Sequence, residues 1–210
     1  VSGLRLVDTR RDAGLAGGLA ASDVRRRRLA NLTSGLGAAL CIAAGASLAA
    51  GLNIYAVAVL FSLGAICDLA DGRIARSARR LQPSRSGAFI DSFCDKVGEA
   101  GIFVGLLAYL HEPVTQLLAA MAFAVGWLTS WAKAFAEAQQ FDINWSDARI
   151  LGRATRATLL SLTLFVSAVL SSNSYAVWIM GFIVLLVFNC TTLMSRLVRI
   201  IETEARQKVS

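Results

Sequence analysis

Charge is what this chain has least of. Only 17% of its 210 residues are charged, too few to clothe a soluble domain of that size. Three short connections, around Gly51–Asn53, His111–Pro113 and Ser172–Ser174, hold no lysine or arginine at all. Aromatic and basic residues do not interleave as they do in proteins that bind single-stranded nucleic acid, so the net charge of +7 is not read as a nucleic-acid footprint. Cys41, Cys67, Cys94 and Cys190 show no metal-site spacing, which leaves them as reduced packing residues. A single histidine, His111, lies in one of the uncharged connections and carries no assigned role. Internal repeats, low-complexity linkers and a second domain are also missing.

Hydrophobic residues fill that space, at 56% of the chain. A bilayer core asks for about 20 mostly apolar residues per helical crossing. Six stretches answer: Leu32–Ala50, Leu52–Leu69, Gly87–Leu110, Val114–Trp131, Ala157–Ser171 and Tyr175–Leu193. The third is polar in its first half and the fifth is short. The basic residues gather on one side of this map: Arg25–Arg28, the arginines between Arg73 and Arg85, those from Lys133 to Arg156, and Arg196 onward. The positive-inside rule makes that side cytoplasmic, and an even number of spans requires the same. The expectation is an all-α integral membrane protein of six transmembrane helices, with both termini cytoplasmic, sited in the cell membrane.

Residues 1–30 form a cytoplasmic or juxtamembrane lead, and residues 31–210 the six-helix domain. Within the lead, "DAGLAGGLAASD" is glycine-rich and poor in helix propensity, so residues 1–24 are expected to be a loose arm or a surface-lying segment. It does not read as a cleaved signal. A helix start is expected at Ser22 or Asp23. The short outer connections make consecutive spans antiparallel neighbours, and small residues along the first span (Gly35, Gly37, Gly45 among them) allow close helix packing.

Where the second apolar stretch should end, the chain reads "CDLADGRIARSARRLQPSRSGAFIDSFCDKVGEAG". Asp68 and Asp71 are spaced i, i+3; Asp91 and Asp95 are spaced i, i+4. Either spacing puts both carboxylates on one helix face, with roughly 4.5–6 Å of rise between them. Acids at the edge of hydrocarbon are costly, about 2.5–3.5 kcal/mol each at a helix centre, and crowding adds to that. Divalent cations would offset the cost, and an all-oxygen donor set suits Mg²⁺ or Mn²⁺. Four carboxylates are enough for two ions, an arrangement suited to phosphoryl chemistry. Gly72 removes a side chain where a helix end could admit a nucleotide, Arg76 can neutralise phosphate oxygens bidentately, and Gly87 opens the facing helix. Simple pairing of these acids with loop arginines explains neither the spacings nor the glycines.

The stretch resembles the signature of the CDP-alcohol phosphotransferase family, D-x-x-D-G-x-x-A-R, a spacer, then G-x-x-x-D-x-x-x-D. Here it is Asp68, Asp71, Gly72, Ala75 and Arg76, then Gly87, Asp91 and Asp95. The spacer, Ser77–Ser86, is longer than the family usually has, which bears on the loop arginines and not on the aspartates. The resemblance implies transfer of a phosphate-linked alcohol, usually diacylglycerol phosphate, from a CDP-alcohol to an acceptor hydroxyl, with release of CMP. It implies a homodimer and two divalent metal ions. It further implies that Asp68, Asp71 and Asp91 hold the metals, that Asp95 binds one metal and takes the acceptor's proton, and that Asp68, Gly72, Ala75, Arg76 and Gly87 frame the CDP group.

For the acceptor, Lys133 ends the fourth span, while Arg153 and Arg156 open the fifth. Three cations near four carboxylates suit an acceptor that is itself phosphorylated, although inside-loop positives are common in any case. "SWAKAFAE" followed by "GRATR" is similar to the corresponding region of prokaryotic phosphatidylinositol phosphate synthases, which implies inositol 1-phosphate as acceptor. Glycerol 3-phosphate as acceptor and CDP-inositol as donor remain alternatives within the family. A cation-coupled transporter is the alternative outside it, but transporters set such acids near the midplane of two matched halves, and here they cluster at one end of one helix pair.

Overall fold

The structure, a computed structural model, describes residues 3–77, 85–141, 143, 145, 152–170 and 175–207. Among these residues the architecture is all-helical, without a strand: α1 (Gly3–Ala49), α2 (Ile54–Ser77), α3 (Arg85–Tyr109), α4 (Pro113–Ala138), α5 (Arg153–Val169) and α6 (Tyr175–Gln207). Each helix covers most of one of the six apolar stretches.

Tight connections join α1 to α2 and α3 to α4. Between α1 and α2, Gly51 adopts φ +69°, a left-handed conformation that a Cβ would strain. Asn53 Oδ1 then accepts the Tyr55 N–H at 2.8 Å, capping the start of α2. Between α3 and α4, Gln116 Nε2 donates to the carbonyls of Leu107 (3.1 Å) and Leu110 (2.6 Å), which the end of α3 would otherwise leave without partners. Pro113 opens α4, where a missing N–H costs nothing.

The helix that organises the bundle is α1. It packs most extensively against α3 and α2, while α4 packs on α6, α2 on α5, and α5 on α6. On both of its principal faces the contact is backbone to backbone. A Cβ on Gly37 would lie 3.1 Å from the Gly64 carbonyl oxygen of α2, and one on Gly45 only 2.1 Å from that of Gly101 in α3. A single core follows, with Leu48, Val57, Ile102, Leu106, Leu164 and Phe182 fully enclosed. Outside it the surface is apolar: Leu32, Phe89, Val104, Val169 and Ile201 are 65–70% exposed. Such a surface suits hydrocarbon and not water.

Among the described residues four helices are long and apolar enough to cross a membrane, over Val24–Ala49, Ile54–Asp71, Pro113–Ala138 and Tyr175–Arg206, with Ala154–Val169 a shorter fifth. The charged residues Asp91, Asp95, Lys96 and Glu99 keep α3 outside that group. Two expectations need correction. No helix starts at Ser22 or Asp23, because α1 is continuous from Gly3. The glycines there cost about 1 kcal/mol each, but alanine, leucine and arginine separate them and no proline interrupts. Likewise Gly72 does not stand at a helix end, since α2 continues to Ser77.

Candidate active site

The apolar part of α2 ends at Asp71, and the helix runs on beyond it. Asp68 and Asp71 therefore stand a turn apart where α2 leaves its apolar surroundings. Across from them α3 presents Asp91. Asp68, Asp71 and Asp91 each bring one carboxylate oxygen to within 4.8 Å of the other two, and Asp71 is only 3% exposed. Three negative charges at that spacing repel by roughly 3.5 kcal/mol per pair at an effective dielectric near 20.

One hydroxyl lies among them. Ser34 Oγ of α1 donates to Asp71 Oδ2 at 2.6 Å, and stands 3.3 Å from Asp91 Oδ1 and 3.1 Å from the Ala30 carbonyl. It has a single proton to give, and its shortest contact spends it on Asp71. Converging carboxylate oxygens are the preferred ligands of a hard divalent cation, and these three lie within 4.8 Å of one another. The residues present fit such an ion.

Beside the cluster is a cavity of ≈ 70 Å³ whose wall includes Ser34, Asp68, Asp95, Glu99, Arg156 and Asn189. Asp68 belongs to both cluster and cavity, and through it Asp95 and Arg156 adjoin the metal-competent group. The Arg156 guanidinium donates to the Gly126 carbonyl at 2.9 Å, and comes within 3.5 Å of Ser130 Oγ and 3.8 Å of Glu99 Oε1. Its Nε is buried and has no hydrogen-bond partner among the described residues.

The other sequence-identified residues fall less close. Lys133 is half-exposed and pairs with Glu137 at 3.5 Å, away from the cavity wall. Gly87 sits on α3 one turn before Asp91, half-buried. Gly72, Ala75 and Arg76 follow Asp68 along α2, and their side-chain surroundings, like those of Arg153, lie outside the described residues.

Sequence reasoning missed four residues here. Glu99 continues the series Asp91, Asp95 by another four residues, so the i, i+4 pattern could have found it. Lys96 is a cation inside the third apolar stretch, apart from the one-sided charge map. It pairs with Glu99 at 2.8 Å, donates to Ser130 Oγ at 2.9 Å and lies 5.6 Å from the Trp127 ring centre. Asn189 of α6 donates to the Ala122 carbonyl of α4 at 2.8 Å. Neither it nor Ser34 had any local signal.

Comparison with known proteins gives a consistent result. Residues 27–193 match the family described as CDP-alcohol phosphatidyltransferase. A phosphatidylinositol phosphate synthase of Cutibacterium acnes is 34% identical over 109 residues, covering 50% of this chain and 49% of that protein. The chain thus spans about half the length of the curated relative it matches. Two crystal structures of a Mycobacterium tuberculosis phosphatidylinositol phosphate synthase share the fold with a TM-score of 0.67. The apo form is 22% identical, covering 81% of this chain and 88% of that one. The form with CDP-DAG bound is 21% identical, covering 87% and 92%.

Proposed function

The chain belongs to the CDP-alcohol phosphatidyltransferase family, and from that premise we propose that it moves a phosphatidyl group from CDP-diacylglycerol to the hydroxyl of a phosphorylated polyol, inositol 1-phosphate. A bond forms between the acceptor oxygen and the donor's lipid-side phosphorus, the bond from that phosphorus to CMP breaks, and CMP leaves. The observation that carries this reading is the sharing of Asp68 between the carboxylate cluster and the cavity that Asp95 and Arg156 line. The name of the Cutibacterium relative and the CDP-DAG bound by the mycobacterial one support the choice of acceptor and donor.

Each residue then has a task. Asp68, Asp71, Asp91 and Asp95 hold two divalent ions, Mg²⁺ or Mn²⁺. Bound there, such ions supply Lewis-acid polarisation of the donor phosphates and charge stabilisation for the departing CMP. Asp95 accepts the proton of the attacking hydroxyl, which asks only for hydrogen-bond reach. Gly72, Ala75, Arg76 and Gly87, with Asp68, frame the CDP group. Arg156, with Lys133 and Arg153, receives the acceptor's phosphate. The buried Nε–H of Arg156, without a hydrogen-bond partner among the described residues, favours an anionic acceptor over a neutral one, and the exposed Lys133–Glu137 pair is weak enough, about 0.3–0.5 kcal/mol, to be exchanged for a phosphate.

In this reading all six helices cross the plasma membrane, with both termini and the site on the cytoplasmic face. The acyl chains stay in lipid while the nucleotide stays in water. Residues 31–210 form the catalytic domain, residues 1–30 lead into it, and the working unit is a homodimer. The test is release of labelled CMP from CDP-diacylglycerol with a panel of acceptors, with and without Mg²⁺. Release with inositol 1-phosphate alone is expected. Release only with glycerol 3-phosphate or serine overturns the choice of acceptor.

A further inference from the structure

None of the site's aspartates comes from α1, yet the side chain between them does. Among the described residues α2 and α3 each pack extensively on α1 and not comparably on each other, so both helices that carry the aspartate signature are held against α1. At that crossing, Ser34 is buried, 2.6 Å from Asp71 Oδ2 of α2 and 3.3 Å from Asp91 Oδ1 of α3. Serine is a weaker helix former than alanine, so helix formation does not account for it. A buried helical serine commonly satisfies its hydroxyl on the carbonyl four residues back. Here that contact, to Ala30, is 3.1 Å, longer than the one to Asp71. The shorter distance is that of a charge-assisted O–H···O⁻ bond.

We propose that Ser34 is a positioning residue for the cation centre, holding the carboxylates of Asp71 and Asp91 turned toward a common point. This rests on the reading that the cluster binds a divalent cation. Partners that orient metal ligands typically cost 10–100-fold in affinity when removed. Ser34→Ala removes the hydroxyl and leaves a good helix former. Ser34→Thr keeps the hydroxyl in a rotamer that helices accept.

The experiment is a titration of the full-length protein in detergent with Mn²⁺ alone, the unbound ion being followed by electron paramagnetic resonance. Cation-free melting curves of the same variants accompany it. Expected are a loss of Mn²⁺ affinity of about tenfold or more in Ser34→Ala, near-normal affinity in Ser34→Thr, and unchanged melting of both without the ion. Equal affinity in Ser34→Ala and the parent overturns the proposal, as does equal weakening in both variants. A fall in cation-free melting that accompanies the affinity loss in Ser34→Ala also overturns it, since the role is then only structural. A parent protein that binds no Mn²⁺ overturns the cation-centre reading itself, which separates that failure from the failure of Ser34.

Discussion

Replacing Gly45 with alanine places a methyl carbon 2.1 Å from the Gly101 carbonyl oxygen. Carbon and carbonyl oxygen approach no closer than about 3.3 Å even in favourable contacts, so α1 and α3 must part by roughly 1 Å. The obstacle is backbone, which cannot rotate away. The same surface is tight in reverse, because a Cβ on Gly105 would lie 2.1 Å from the Gly45 carbonyl oxygen. Overpacking costs typically 1–3 kcal/mol, and a contact of this kind belongs at the upper end. The gain in helix propensity returns about 1 kcal/mol. The net loss of about 2 kcal/mol corresponds to a fall in Tm of roughly 4–8 °C for a chain of this size. Ser34 lies on the same helix about 16 Å from Gly45, so CMP release should fall as well. Gly35→Ala is the control: among the described residues nothing beyond its own stretch of helix lies within 4 Å of its added Cβ, and it should melt at or above the parent temperature. The assay is a thermal melt in detergent with CMP release measured on the same samples. If Gly45→Ala melts as Gly35→Ala does, the backbone contact between α1 and α3 is wrong, and so is the placement of Ser34 built on it.

Asp95→Asn should reduce CMP release by about 10²–10⁴-fold while the protein still melts cooperatively; release near the parent rate would remove Asp95 as proton acceptor. Arg156→Ala should raise the KM for inositol 1-phosphate about tenfold or more, the value of one charge-assisted hydrogen bond, with the donor KM little changed; an unchanged acceptor KM would move the acceptor phosphate elsewhere. Gln116→Ala strips two carbonyls at the end of α3 of their donor and should cost about 1–2 kcal/mol in a melt without altering catalysis, since it lies at the end of α3 remote from the aspartates.

The helices were legible because hydrocarbon demands a run of apolar residues, but their neighbours were only partly so: α1 and α2 pack extensively as a hairpin, whereas α3 packs chiefly on α1 and α4 on α6. The helix ends were not legible. α1 continues to Gly3 and α2 to Ser77 because nothing in either sequence breaks a helix, whereas apolar runs mark only where lipid begins. The aspartates were legible because i, i+3 and i, i+4 spacings are local and show which residues share a face. Ser34 was not, since its relation to Asp71 and Asp91 spans 37 and 57 positions and exists only once α1 has packed between two other helices. Lys96 and Glu99 stand between these cases. A charge pair inside an apolar stretch is visible in the sequence, but the partners that make it tolerable, Ser130 and Arg156, come from other helices.

The most direct test of the account is anomalous diffraction from crystals grown with Mn²⁺ and CDP-diacylglycerol. The predicted result is ion density among the carboxylates of Asp68, Asp71 and Asp91, with the donor's phosphates against it. Phosphates bound elsewhere, with those three side chains turned apart and no anomalous peak between them, would contradict it.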